Sequence, residues 1–111
     1  MSHVTYETNG ITVVELSGKI MGGPEAAEIN DQIHSLIEKG DKRMIIDLGE
    51  VEWMNSSGLG ILIGAITTLK NNGGALSLVR VSDRIMNLLK ITKLKDVFTI
   101  HPDVQTAVEA M

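Results

Sequence analysis

The chain contains no cysteine. Disulfides, thiolate metal sites and cysteine nucleophiles are therefore excluded. Aromatic residues are almost missing as well: Tyr6, Trp53 and Phe98 are the three present. A stacking platform for single-stranded nucleic acid needs more than that. Positive charge is in deficit, with 10 basic against 14 acidic residues and a net charge of -4. Basic residues stand singly or in pairs, as at Lys42-Arg43, so no basic footprint awaits a phosphate backbone. Long apolar runs are absent too. The strongest, residues 59–66, falls well short of the ~20 residues that span a bilayer. The first residues lack a charged-then-apolar leader pattern. The expectation is a cytoplasmic protein that binds neither nucleic acid nor membrane directly.

What is present is ordinary for a globular domain: 43% hydrophobic and 22% charged residues. A length of 111 residues supports one domain with one modest core, and leaves no space for a separate catalytic domain.

Residues 3–8 and 11–17 are rich in β-branched side chains and flank Asn9-Gly10. That dipeptide favours positive φ at both turn positions, so an antiparallel hairpin is expected. Residues 18–23 read as a glycine-rich loop. Pro24 suits the first turn of a helix over 24–39, with Ala26, Ile29, Ile33, Leu36 and Ile37 at helical spacing and Gly40 as its stop. Residues 44–48 read as a buried strand and 49–57 as a loop. The next helix carries Leu59, Leu62, Ile63, Ile66 and Leu69, begins at a Ser56 or Ser57 cap, and ends at Asn71-Asn72-Gly73-Gly74. A strand over 76–80 follows. Ser82 caps a helix with Ile85, Leu88 and Leu89. A weak strand covers 97–100, and Asp103 caps a last helix with Val104, Ala107, Val108 and Met111 on one face.

The order β-β-α-β-α-β-α-β-α predicts an α/β fold. Its mixed sheet has four to five strands, an N-terminal antiparallel hairpin, parallel crossovers and four helices. The strands at 11–17, 44–48 and 76–80 are expected to be parallel neighbours. In such sheets function gathers at the C-terminal ends of strands, here the loops 18–23 and 49–57.

The second loop holds Ser56-Ser57-Gly58 at a helix start. One reading is capping alone. The other is that free N–H groups and the helix dipole tolerate an attached phosphate there. The residue pattern leaves both open. Enzyme readings have less support. No glycine stands two residues before either serine, as a nucleophile elbow would need. His3, His34 and His101 read as surface residues, and Asp47 as the close of a buried strand rather than a partner of Glu50. Phosphate loops, dinucleotide fingerprints and metal spacings are missing. No catalytic residue, cofactor or metal is expected. Gly60 and Gly64, four apart, suggest close approach to the sheet or to a partner. Met21, Trp53 and Met54 are candidate interface anchors, with one of the last two in the core and the other partly exposed.

The stretch Asp47-Leu48-Gly49-Glu50-Val51-Glu52-Trp53-Met54-Asn55-Ser56-Ser57-Gly58-Leu59-Gly60 resembles the signature of the STAS family. These are the sulfate-transporter and anti-sigma-factor-antagonist domains. The likeness extends to Leu16-Ser17-Gly18, Gly74-Ala75-Leu76, the helix after Val81, and Phe98 before the terminal helix. It implies the STAS fold over residues 1–111 and an anti-sigma factor antagonist in a bacterial partner switch. The implied partners are a kinase-type anti-sigma factor, which phosphorylates the serine before the glycine, and a PP2C-type phosphatase, which reverses it. The implied phosphoacceptor is Ser57. The implied partner face holds Met21, Gly22, Gly23, Met54, Asn55, Ser56, Ser57, Gly58 and Gly60. The family commonly has Asp where Asn55 stands here, which removes one negative charge beside the serine but leaves a side chain that can still cap the helix. A constitutive scaffold, a transport-associated subunit and a small-molecule or nucleotide-binding domain are the alternatives.

Overall fold

The computed structural model describes residues 2–40 and 42–111, apart from the side chains of Ser2, Glu25 and Ala26. The Ala26 position in the first helix's apolar stripe therefore lies outside the described side chains. Strand β1 (Ser2–Thr8) and strand β2 (Ile11–Ile20) form the expected hairpin, with Thr8 opposite Ile11. Asn9 and Gly10 take φ of 51° and 78°, the two left-handed positions of a type I′ turn. Helix α1 (Pro24–Glu38) follows, then strand β3 (Arg43–Met54), helix α2 (Ser56–Asn71), strand β4 (Ala75–Val79) and helix α3 (Asp83–Ile91). A single 3-10 turn at Lys95–Val97, strand β5 (Thr99–His101) and helix α4 (Val104–Ala110) complete the chain.

The sheet order is β1-β2-β3-β4-β5. Only the first pair is antiparallel; β2 to β5 run parallel. Alternation along each strand divides the core in two. Val14, Leu16, Met44, Ile46, Leu48, Leu76 and Leu78 meet Ile29 and Ile33 of α1, Leu59, Leu62, Ala65, Ile66 and Leu69 of α2, and Ile85 and Leu89 of α3. On the other face, Ile11, Val13, Ile45 and Val79 are covered by Ala107, with Val104, Val108 and Met111, from α4. Helices α1 to α3 thus share one face, so every crossover has the same hand. Leu62 and Leu78 are fully buried, and truncating either to alanine would cost about 2–5 kcal/mol.

Two strands are longer than their sequences suggest. β2 continues to Ile20 rather than stopping at 17, and β3 to Met54 rather than 48. The loop expected over 49–57 is reduced to Asn55. The cause is a bulge. Between Glu15–Asp47 and Ser17–Glu50, two steps of β2 oppose three of β3, and a second shift follows between Gly18 and Lys19. Glycines and charges that look like a loop are bulge residues instead. Smaller corrections concern the ends. The strand read at 76–80 closes at Val79, because Arg80 turns to φ 52°. The strand read at 97–100 is Thr99–His101, because residues 95–97 form the 3-10 turn. Ile63 is exposed, while Ile61 takes its expected place in the core of α2.

Candidate functional site

The start of α2 is built by Asn55, not by a serine as the sequence suggested. Asn55 has extended backbone, and its Oδ1 accepts a 2.7 Å hydrogen bond from the Gly58 amide. Its own amide donates to the Ile20 carbonyl at 3.3 Å, which ties the helix start to the end of β2. Asparagine, aspartate and serine cap about equally well, so the strand end decides which residue takes the position. Ser56 and Ser57 become the first two helical residues. Both are exposed. Among the described residues, the Ser57 hydroxyl has no hydrogen-bond partner.

Glycine sets how closely the neighbouring segments approach. A Cβ on Gly58 would lie 2.1 Å from the Ile20 carbonyl oxygen. A Cβ on Gly22, at φ 85°, would stand 3.0 Å from Ser57 Cβ. The β2–α1 connection therefore rests directly against the serine, and the two loops share one rim. Met21 projects from this connection, 52% exposed. Met21, Gly23, Ser56, Ser57 and Gly60 are exposed, and Gly22 and Asn55 are half-buried; Gly22, Gly23, Ser57 and Gly60 line one groove. Met54 and Gly58, expected on the partner face, are buried instead. Trp53 is the partly exposed member of the Trp53-Met54 pair, at 39%.

A groove of about 400 Å³ leads from Ser57 between α1 and α2, lined by Ala27, Asn30, Ile33, Gly60 and Gly64 among others. Gly60 and Gly64 have open space where a side chain would stand, so they widen the groove instead of seating the helix on the sheet. Sequence reasoning missed the α1 wall, Ala27 and Asn30. The four-residue glycine spacing was the available signal, and it marked only the α2 side.

The first turn of α2 contains no acidic side chain. No charged side chain therefore offsets its dipole, although Asn55 caps the Gly58 amide. Further back, Asp47 is 3% exposed and accepts from Arg80 Nε at 2.8 Å and from the Gly49 amide at 2.9 Å. This hydrogen bond to Asp47 is the main cause of a raised Arg80 pKa. The pair fastens the bulge that aims β3 at the site. Glu50, at the far side of the bulge, is exposed and acts on Arg80 through its charge alone. His3 and His34 are exposed and His101 is half-buried on β5; among the described residues none bonds to Ser56 or Ser57. Among the described residues, no group of three His, Asp or Glu side chains could hold a metal ion, and no helix is long and apolar enough to cross a membrane.

Comparison with known proteins follows the same lines. The family model described as the STAS domain matches residues 2–107. A Bacillus subtilis protein named anti-sigma-B factor antagonist is 36% identical over 75 residues, which cover 68% of each chain. The crystal structure of an anti-sigma factor antagonist from Mycobacterium paratuberculosis aligns with a TM-score of 0.81 at 25% identity, covering 98% of this chain and 92% of that one. The Bacillus cell fate determinant SpoIIAA, solved in its phosphorylated form, aligns with a TM-score of 0.75 at 18% identity, covering 99% and 100%. That last likeness speaks for the fold. Since the family model spans nearly the whole chain and a relative is more than a third identical, the chain belongs to the STAS domain family.

Proposed function

We propose that the chain is an anti-sigma factor antagonist, a cytoplasmic binding protein whose hold on its partner is switched by phosphorylation of Ser57. One observation carries this reading: an exposed, unbonded hydroxyl at the start of a helix whose first turn has no acidic residue. The name of the Bacillus subtilis relative and the phosphorylated form of SpoIIAA support it. In the proposed reaction, Ser57 Oγ attacks the γ-phosphorus of ATP bound to the anti-sigma factor kinase. The new O–P bond forms as the bond to ADP breaks, and the hydroxyl proton passes to a base on the kinase. This chain supplies the nucleophile and its position, not the catalysis. A PP2C-type phosphatase hydrolyses the phosphoester and restores the hydroxyl.

The consequences for fold and interface have opposite signs. A phosphate carries roughly two negative charges and gains about 0.3–1 kcal/mol from the helix dipole, so the fold is retained. At the partner interface, the same dianion occupies a site shaped for a hydroxyl and must be desolvated. Met21, Gly22, Gly23, Asn55, Ser56, Ser57 and Gly60 form the proposed contact surface, with Met54 and Gly58 as its support.

The test is mass spectrometry of the chain after incubation with the cognate kinase and ATP. A single phosphate on Ser57, lost in Ser57→Ala, is the expected result. Phosphate confined to another residue would overturn the assignment. Met21→Lys should weaken partner binding with an unchanged unfolding midpoint.

A further inference from the structure

Helix α3 buries Ile85 and Leu89, while Leu88 is half-buried against the core and Ile91 is exposed. Arg84, Leu88 and Ile91 lie at four- and three-residue steps, hence on one side of the helix. With Trp53 from the end of β3 they line a groove of about 220 Å³. Trp53 is 39% exposed and Ile91 72% exposed. An aromatic ring and a branched aliphatic side chain at the centre of a surface groove have the chemistry of interface anchors.

The charge around this groove is unlike the rest of the molecule. Residues 80–95 hold five of the 10 basic residues, Arg80, Arg84, Lys90, Lys93 and Lys95, and a single acidic one, Asp83. The chain as a whole has a net charge of -4. Arg80 is engaged with Asp47. Among the described residues, Arg84 and Lys90 form no ion pair. Arg84 borders the groove, and Lys90 lies with Arg84, Asn87 and the one acidic neighbour, Asp83, on the adjoining surface.

We propose that this α3 surface is a docking site for an acidic amphipathic helix of a protein partner. Apolar residues of that helix would cover Trp53, Leu88 and Ile91, and its carboxylates would meet Arg84 and Lys90. The apolar centre supplies affinity, while rim charges select the partner and speed its approach. Other occupants fit less well. A symmetric second copy brings the same surface against itself and sets cation against cation. Nucleic acid or an anionic membrane meets a chain whose other residues hold 13 acidic against five basic side chains. The groove also touches Met54, which lies just before the start of α2.

Trp53 is the only tryptophan, so its fluorescence reads this groove without a label. The probe is a synthetic helical peptide with leucine along one side and glutamate along the other; its control has lysine in place of glutamate. The glutamate peptide should give a saturable blue shift that weakens with added salt, and ¹⁵N shifts should centre on residues 84–91. Ile91→Ser and the double variant Arg84→Glu/Lys90→Glu are surface changes that retain the fold, and each should lower affinity about tenfold, or 1.4 kcal/mol. Ser57→Ala should titrate like the natural chain. Equal binding of the lysine peptide, unchanged affinity in the variants, or shifts centred elsewhere would overturn the proposal. So would a Trp53 blue shift produced by self-association, by anionic vesicles or by DNA instead of the glutamate peptide.

Discussion

Gly58 sits against the carbonyl of Ile20 so closely that a single added carbon would lie 2.1 Å from its oxygen. This contact joins the start of α2 to the end of β2 and sets the depth at which Ser56 and Ser57 emerge. Gly64, two turns along the same helix, has open space instead. The two glycines therefore predict opposite responses to one change. Gly58→Ala should destabilise the fold by about 1–3 kcal/mol, as backbone is forced apart. Gly64→Ala should stabilise it by about 0.5–1 kcal/mol, because alanine restricts the unfolded helix residue at no steric cost. Urea unfolding of both variants checks the pair.

The bulge in β3 depends on Arg80 as well as Asp47. A Cβ on Gly49 would stand 2.4 Å from Arg80 Cζ, so the guanidinium lies directly over that glycine. Arg80→Ala leaves the buried Asp47 carboxylate with the Gly49 amide alone and should cost about 1–3 kcal/mol. Gly49→Ala displaces the same guanidinium. The double variant should therefore lose less than the sum of the two single losses, which a double-mutant cycle measures directly.

Asn55 separates capping from charge. Asn55→Ala removes the acceptor for the Gly58 amide and should cost about 1 kcal/mol. Asn55→Asp keeps that acceptor and places a carboxylate at the positive end of α2. Its stability should stay within about 1 kcal/mol of the parent. The rate of Ser57 phosphorylation should change more, because the added charge stands beside the incoming phosphoryl group. Unfolding curves and an initial-rate kinase assay read the two effects separately.

The C-terminal helix carries a pH dependence of its own. The Asp103 carboxylate accepts from the Thr106 amide at 2.8 Å, and that bond holds its pKa below the ordinary 3.8. A carboxyl with a lowered folded pKa stabilises the fold above its unfolded pKa and loses that contribution as pH falls through the folded value. The Thr106 amide signal should follow the Asp103 titration below the usual carboxylate range in the natural chain. In Asp103→Asn it should stay flat.

Element order was legible because the local signals agreed with one another. Asn9-Gly10 specified the hairpin, and Ser82 and Asp103 capped the helices assigned to them. The four α4 side chains do share the face that covers the sheet. Strand lengths were not legible, because the bulge at Asp47–Glu50 places glycine and charge inside a strand. The serine pair was visible, but which of Asn55, Ser56 and Ser57 caps the helix was not: the Ile20 carbonyl that fixes Asn55 lies far away in sequence. The α1 wall of the groove and the nearness of Trp53 to Ile91 arise only from tertiary packing.

Phosphate on Ser57 is expected to break the partner complex and leave the fold intact. Isothermal titration of the anti-sigma factor kinase with unmodified and Ser57-phosphorylated chain tests it most directly, with unfolding midpoints recorded for both. The midpoints should be nearly equal, with a loss of affinity of a few hundredfold, on the order of 3–4 kcal/mol. Equal affinity for the two forms would contradict it.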